Sequence, residues 1–342
     1  MNDQLFIKSA FSQKVERPPV WMMRQAGRFM KEYRAIRENY SFLEMMKNPE
    51  IATDVTMLPV DLLGIDAAIM FCDILVTAEA LGGQLSFVKG KGPVFANPVR
   101  SKSDVEKMVI PETYEEFGYV FEMIKNVKER LNGKTPLIGF AGSPFTVMSY
   151  LVEGQSSKDL KLTKLMINTE PETAKLLLSK LATVTANYLN AQIEAGVDAL
   201  QIFDSWANTL SWEDYQEFSH FYIAEIISKL NRKDIPIISF CKGSSVFHPI
   251  MAEAKPDVIS VDWNADLLRV KQSLPNEIAV QGNLDPFVLY GSREIIRKKV
   301  MRILEKMRNE NGFIFNLGHG IMPDIPFDNV KYAIELIQEF RN

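Results

Sequence analysis

The feature of this sequence that most limits its fold is a regular alternation of short apolar runs with longer amphipathic segments. Each run is rich in β-branched or aromatic residues and is bounded by Gly, Pro or Asp, which is typical of buried parallel strands. Eight runs are predicted as strands, at residues 19–23, 67–72, 137–140, 199–203, 236–240, 258–262, 279–283 and 313–317.

Helices are predicted between these strands. The clearest covers residues 172–195, where apolar residues recur at helical spacing. Thr169 and Glu172 have the spacing of a capping box at its start, and Gly196 is suited to end it. Three further helices are predicted at residues 212–230, 292–309 and 327–341.

Eight strands that alternate with helices predict an α/β fold of the closed (β/α)8 TIM-barrel type. A doubly wound sheet is the alternative, but no Gly-rich phosphate loop follows any of the runs. Residues 84–100 interrupt the alternation with two β-like runs around residues 90–92, which predicts a hairpin inserted after the second strand. No linker is visible, so residues 1–342 are predicted to form one domain.

Composition limits the possible partners. The net charge of −4 argues against a nucleic-acid-binding surface, and no apolar run approaches the roughly 20 residues of a membrane helix. The N-terminus does not resemble a signal peptide, and two cysteines suit a reducing compartment. We therefore expect a cytoplasmic protein whose anionic ligands are met by local cations.

The candidate site residues follow the strands, because a barrel enzyme builds its site at their C-terminal ends. The first run is followed by a turn that carries two arginines around a glycine. Two guanidinium groups in one turn suit carboxylates held bidentately, although surface arginines on an opening helix are the alternative. The turn consists of Arg24, Gln25, Ala26, Gly27 and Arg28.

Asp73 follows the second run, where it either caps a helix or places a carboxylate near the barrel axis, and spacing leaves both open. From the residues alone, Tyr150 is more simply interpreted as core packing and Ser205 as a helix cap. His319 lies between two glycines, which favours a ligand contact. Lys242 follows closely after the fifth run, where a Schiff-base lysine could lie, but it has no evident partner. The residues alone therefore predict a barrel enzyme for a substrate with several carboxylates.

Five segments of the chain resemble the uroporphyrinogen decarboxylase family, in order and from the first strand to the last. They are residues 19–28, 139–154, 203–206, 282–286 and 316–320. The departures from the family pattern are small: Met30 and Lys31 replace a usual Leu-Pro pair, and Asn208 stands where glycine is common.

The resemblance implies removal of four acetate carboxylates from uroporphyrinogen III, giving coproporphyrinogen III in porphyrin and heme biosynthesis. It implies a homodimer that needs no metal or organic cofactor. It assigns catalysis to Asp73, Arg24 and Arg28, with Asp73 receiving the pyrrole N–H groups. The implied substrate-binding residues are Arg24, Gln25, Ala26, Gly27, Arg28, Ile69, Phe71, Asp73, Tyr150, Phe203, Ser205 and His319.

Two alternative functions remain open. A zinc-dependent methyltransferase of the corrinoid or cobalamin-independent type would need His and Cys ligands, often as His-x-Cys at the end of the fifth strand. That place reads Ser239, Phe240 and Cys241, so the histidine is missing. A non-catalytic tetrapyrrole-binding barrel would keep the arginines and the apolar residues. It could dispense with Asp73, so the presence of that residue favours the enzyme.

Overall fold

The computed structural model describes residues 4–88, 90–112, 115–232, 234–243 and 245–342. Its strands are β1 (Ala68–Ile69), β2 (Leu85–Val88), β3 (Gly92–Phe95), β4 (Leu137–Gly142), β5 (Ala199–Asp204), β6 (Ile237–Cys241), β7 (Val258–Ser260), β8 (Ala279–Leu284) and β9 (Phe313–Leu317).

Seven of these strands form one curled parallel sheet, in the order β1-β4-β5-β6-β7-β8-β9. Each strand pairs in parallel with the next, as where Ile138 of β4 lies opposite Ala199 of β5. The runs predicted from the second to the eighth all lie in this sheet, so the predicted α/β fold with a parallel sheet is confirmed. All the strands therefore end at the same edge, and the loops that follow them are neighbours.

The first predicted run, residues 19–23, forms a single parallel bridge between Val20 and Phe315 of β9. The Phe315 N–H donates to the Pro19 oxygen at 2.8 Å, and on the other side the Asp66 N–H donates to the Val20 oxygen at 2.8 Å. This segment thus contacts β9 and the residues that lead into β1, the two edges of the sheet.

Helices cover the outside of the sheet. The α-helices are α1 (Leu5–Ala10), α2 (Lys31–Asn39), α3 (Phe42–Lys47), α4 (Pro49–Leu63), α5 (Val76–Ala80), α6 (Lys102–Lys107), α7 (Gly118–Leu131), α8 (Pro144–Glu153), α9 (Lys161–Thr169), α10 (Pro171–Ala195), α11 (Trp212–Tyr215), α12 (Phe221–Ser228), α13 (His248–Glu253), α14 (Leu267–Ser273), α15 (Arg293–Met307) and α16 (Phe327–Glu339). Short 3-10 turns lie at Glu115–Phe117, Ala207–Thr209 and Pro286–Tyr290. None of the helices within the described ranges is long and apolar enough to cross a membrane.

The helix predicted at residues 172–195 is confirmed as α10, and it ends before Gly196 as expected. The capping box predicted at its start is wrong. The Thr169 hydroxyl donates to the Leu165 oxygen inside α9, because Thr169 ends that helix instead of preceding the next. The N-cap of α10 is Glu170, which makes no side-chain cap hydrogen bond. A second difference lies at Gln216–His220, where a π-helical turn joins α11 to α12 within the helix predicted at residues 212–230.

The two-stranded antiparallel unit of β2 and β3 lies between β1 and β4 in the chain. Leu85 pairs with Phe95 and Val88 pairs with Gly92, at the place where the hairpin was expected. Lys89, at its turn, lies outside the described residues. Val94 also bridges to Gln155 after α8, so the unit packs against the loop that leaves that helix.

The inner face of the curled sheet packs around a separate apolar cluster. This cluster includes Trp21 from the first run and alternate residues of the strands, such as Ile238 and Phe240 of β6. The Trp21 Nε1 donates to Gln281 at 2.8 Å, so the buried indole satisfies its polar atom. Phe6, Ile7 and Ala10 of α1 belong to the same cluster, so this helix packs against the inner residues of the sheet.

Candidate active site

The turn after the first run places Arg24 at the edge where the strands end. Arg24 has a φ of +61°, and it follows Met23, whose N–H donates to Asn316 Oδ1 at 3.0 Å. Gln25 is buried; its Oε1 accepts from the Met22 N–H and its Nε2 donates to the Ala67 oxygen. The Gln25 side chain therefore braces the turn, whereas Arg24 and Arg28 are exposed.

The Arg24 side chain lies directly across Gly320. An ideal Cβ at Gly320 would be 2.3 Å from Arg24 Cδ and 2.6 Å from Arg24 Cγ. The Ile321 N–H also donates to the Met23 oxygen at 2.9 Å, which fixes the two turns against each other. The second glycine of the Gly-His-Gly segment thus makes room for the arginine. This is a different role from the one predicted for the glycines, which was to favour a ligand contact of His319.

Asp73 lies half-buried where the chain leaves β1. Its Oδ1 accepts from the Leu75 N–H at 2.7 Å, so it does organise the start of α5. No described residue donates a hydrogen bond to its second oxygen. Burial raises the pKa of Asp73 to about 6; the Leu75 N–H opposes this, the charge of Glu79 adds to it, and Arg24 lowers it. Both functions considered for Asp73 are thus compatible, with one oxygen for the turn and one for a ligand.

His319 lies close to Arg24. Burial, followed by the charges of Arg24 and Lys242, lowers the pKa of His319 to about 3. Its ring centroid is 6.1 Å from that of Phe240. The imidazole is therefore neutral at pH 7 and can donate or accept a hydrogen bond, but it is a poor source of a proton.

The predicted apolar contacts divide into two groups. Ile69 and Phe203 are half-buried and pack against the inner cluster, where the Phe203 ring meets Phe140 and Phe240 edge-on at 5.5 and 5.9 Å. Phe71 is only 8% exposed, and its ring packs against Tyr33 and Phe42. The structure therefore places Ile69 and Phe203 at the inner face and Phe71 among helix side chains.

Tyr150 and Ser205 lie half-buried on the other side of the site. The Tyr150 ring meets Trp206 edge-on at 6.1 Å. Burial is the main cause that raises the pKa of Tyr150; Asp73 adds to it, and Arg24 opposes it. The hydroxyl of Tyr150 therefore stays protonated at neutral pH. Ala26 and Gly27 are half-buried between the two arginines.

Asp204 was not predicted as a site residue; it is fully buried beside Ser205. Its carboxylate accepts from the hydroxyls of Ser143 at 2.6 Å, Thr146 at 2.9 Å and Ser219. Burial raises the pKa of Asp204 against these three donors. Asp204 thus ties the end of β5 to α8 and to the π-helical turn. The signal in the sequence was an aspartate at the end of an apolar run, as for Asp73.

The side chains do not favour a metal site. Within the described parts of the chain, no group of three His, Cys, Asp or Glu side chains could hold a metal ion. Burial raises the pKa of Cys72 to about 12 and that of Cys241 well above its usual range, so neither sulfur readily becomes a thiolate ligand. Cys72 instead lies 3.8 Å from the Tyr188 hydroxyl.

The sequence matches the family model described as uroporphyrinogen decarboxylase (URO-D) over residues 1–340. A protein named uroporphyrinogen decarboxylase from Protochlamydia amoebophila is 47% identical over 340 residues, which cover 99% of this chain and 92% of the relative. A protein of the same name from Trichlorobacter lovleyi is 45% identical over 337 residues, which cover 98% of each chain.

Solved structures resemble the fold. A methyltransferase from Methanosarcina mazei superposes with a TM-score of 0.83 at 21% identity, covering 98% of this chain and 97% of the other. A B12-independent methionine synthase from Shewanella superposes with a TM-score of 0.58 at 12% identity, covering 94% and 93%. At these identities the likeness concerns the architecture and carries no information on the reaction.

Proposed function

The chain belongs to the uroporphyrinogen decarboxylase family, and we propose that the site around Asp73 removes the acetate carboxylates of uroporphyrinogen III. The protein is a carboxy-lyase of porphyrin biosynthesis, and its product is coproporphyrinogen III. The observation that carries this proposal is the second oxygen of the half-buried Asp73, which accepts no hydrogen bond from a described residue and lies where the chain leaves β1.

The chemistry explains why a carboxylate is needed. A pyrrole acetate does not simply lose CO₂, because the carbanion that forms is poorly stabilised. Protonation of the adjacent ring carbon gives a cationic ring that accepts the electron pair of the breaking C–C bond. An ionised Asp73 can receive the ring N–H groups and stabilise that positive charge. The exocyclic methylene carbon left by the loss of CO₂ is then protonated to give a methyl group. The ring carbon releases the proton that it gained first, which restores the pyrrole, so each acetate consumes one proton and yields one CO₂.

The other site residues bind and orient the macrocycle in this proposal. Arg24 and Arg28 hold carboxylates, since guanidinium groups keep their protons and are poor acids. The neutral His319 and the hydroxyls of Tyr150 and Ser205 provide polar contacts. Ile69 and Phe203 contact the macrocycle, and Phe71 supports the site from behind. Gln25 acts through the backbone of the turn, and Ala26 and Gly27 leave room for the ligand.

Two finer features of the fold belong to the same proposal. The segment at residues 19–23 closes the sheet into an eight-stranded barrel, which its contacts to both edges support. The hairpin of β2 and β3 is the insertion after the second barrel strand. Residues 1–342 form one domain, and the expected location is the cytoplasm.

We expect Arg28→Lys to raise KM about three- to tenfold, because the charge stays but the planar bidentate fork is lost. The defect should grow with ionic strength, since added salt screens the attraction between a polyanion and an exposed cation. Steady-state kinetics at low and high salt measure both effects. An unchanged KM under both conditions would remove Arg28 from substrate binding.

We expect the protein to form a homodimer in solution, as the family resemblance implies and as is commonest among symmetric oligomers. Light scattering at micromolar concentration measures the mass directly. A mass that corresponds to one chain at every concentration tested would contradict this expectation.

Anaerobic incubation with uroporphyrinogen III, followed by chromatography of the oxidised products, tests the proposed reaction. We expect porphyrins with fewer carboxylates to appear with time, ending at the tetracarboxylate. A tetrapyrrole-binding protein without activity would leave the octacarboxylate unchanged. A zinc methyltransferase would likewise leave the octacarboxylate unchanged, and methyl transfer would need added zinc.

A further inference from the structure

Lys242 is a half-buried cation that follows β6 at the edge where the strands end. Its ammonium group makes no hydrogen bond or ion pair with any residue that the structure describes. Partly desolvating an ammonium group without a counter-ion is unfavourable, so most such lysines are paired or extend into water. The position of Lys242 therefore suggests an anion that comes from outside the chain.

The backbone around Lys242 is held rigidly. Its backbone N–H donates to the backbone carbonyl oxygen of Asp204 at 3.2 Å. The next backbone N–H, that of Gly243, donates to the Asp262 carboxylate. Gly243 has a φ of +68°, and a Cβ there would lie 2.7 Å from Asn208 Cβ. The turn is thus fixed from both sides, in a conformation and a space that only glycine fits easily.

The carboxylate of Asp262 holds the backbone N–H that follows Lys242. It is 1% exposed, and its second oxygen accepts from the Asn264 N–H at 2.9 Å. Burying a carboxylate is costly; one oxygen of Asp262 accepts from the backbone N–H that follows Lys242, and the other accepts from the loop of Asp262 itself. Such support is typical of a side chain whose position matters for a ligand.

The side chain of Lys242 belongs to the inner face. Side chains alternate along a strand, and Ile238 and Phe240 of β6 both belong to the inner cluster. Lys242 comes two residues after Phe240, whose ring centroid is 6.1 Å from that of His319. Lys242 is close enough to His319 for its charge to lower the pKa of that imidazole, as Arg24 also does. Arg24 and Lys242 therefore both act electrostatically on His319.

We propose that Lys242 binds a carboxylate of the tetrapyrrole as a cationic contact of the same site, positioned by Asp262. This inference rests on the proposed function, since it takes the octacarboxylate as the ligand. It also answers a question of charge, because a protein with a net charge of −4 must attract a polyanion through local cations. The carboxylate is either an acetate that is removed or one of those that remain in the product.

The test compares Lys242→Met with Lys298→Met. Met keeps most of the apolar stem in both variants, and each loses one positive charge, but Lys298 is exposed on α15. We expect Lys242→Met to raise KM about tenfold or more, as for the loss of a hydrogen bond to a charged group. Lys298→Met should stay within about twofold of the wild type, and Lys242→Arg should recover part of the loss.

Inhibition by coproporphyrinogen identifies the carboxylate. If the inhibition constant rises with KM in Lys242→Met, the lysine binds a carboxylate that remains in the product; if only KM rises, it binds an acetate. An unchanged KM in a variant with a normal thermal midpoint would overturn the proposal, as would an equal rise in Lys298→Met. If Lys242→Met is unstable, Lys242→Gln is measured in the same way. Wild-type protein that does not decarboxylate would refute the proposed function itself, independently of Lys242.

Discussion

Asp73→Asn should lower the decarboxylation rate by roughly 10²- to 10³-fold, while substrate binding weakens only modestly. The amide keeps an oxygen that can accept from the Leu75 N–H, so the turn before α5 should persist. It loses the negative charge that stabilises the cationic ring, a loss of about 3–4 kcal/mol of transition-state stabilisation. Rapid-quench single-turnover kinetics separate the chemical step from binding.

Thermal unfolding of the same variant provides the control. Burial raises the pKa of Asp73 to about 6, above the usual range of an aspartate in the unfolded chain. A raised carboxyl pKa means that the native state is favoured while the group is protonated, and that this stability is lost as pH rises through about 6. At pH 7 the ionised carboxylate therefore costs stability. Asp73→Asn should unfold at an equal or slightly higher temperature than the wild type.

The same pKa predicts a pH dependence of the reaction. If the ionised form of Asp73 is active, kcat/KM of the wild type should fall as pH drops through about 6. Asp73→Asn should lack that limb of the profile. Asp73→Glu keeps the charge but displaces it by a methylene, so its rate should lie between those of the wild type and the amide. Near-normal turnover in Asp73→Asn would leave the residue with its capping role alone.

Gly320→Ala should lower kcat/KM by about 10- to 100-fold without a large loss of stability. The new methyl group would lie 2.3 Å from Arg24 Cδ, so the arginine side chain has to move. Gly320 has no positive φ in the structure, so the backbone accepts alanine. Arg24 is exposed and flexible, which makes its displacement cheap for folding but costly for a carboxylate that it positions.

Gly118→Ala is the matched control, because a Cβ at Gly118 would meet nothing within 4 Å and this residue begins α7, on the outside of the sheet. Both variants should unfold within a few degrees of the wild type. Normal kinetics in Gly320→Ala would mean that substrate binding and turnover do not depend on the observed position of the Arg24 side chain. A large drop in the midpoint would instead assign Gly320 to folding.

The strands were predictable because each is a nearly continuous apolar run ending in Gly, Pro or Asp, as with Val258–Ser260 before Asp262. The position of the site was predictable from these strands, because parallel strands end at the same edge of the sheet and the loops that follow them lie together. The start of α10 was not predictable from residue spacing. Thr169 fits a capping box, but α9 extends to Thr169 and its hydroxyl is used there. Whether Thr169 ends α9 or caps α10 depends on how the two helices pack, and residue spacing does not contain that information.

Within the site, the sequence indicated which residues cluster but not which atoms face a ligand. Gln25 lies between two candidate binding residues, yet its amide is fully used by the backbone of Met22 and Ala67. Asp73 and Asp204 both follow apolar runs, and their burial and number of donors separate them. Three hydroxyls donate to the fully buried Asp204, whereas one described group donates to the half-buried Asp73. Such a count requires side-chain coordinates from distant parts of the chain.

The most direct measurement is the amount of CO₂ released from uroporphyrinogen III by protein dialysed against a chelator, under anaerobic conditions. The account predicts about four equivalents of CO₂ per macrocycle at an undiminished rate, because Asp73 and the arginines need no metal to perform the reaction. Asp73→Asn, treated in parallel, should release CO₂ far more slowly. No release of CO₂ by the wild type, or release that depends on added zinc, would contradict the account.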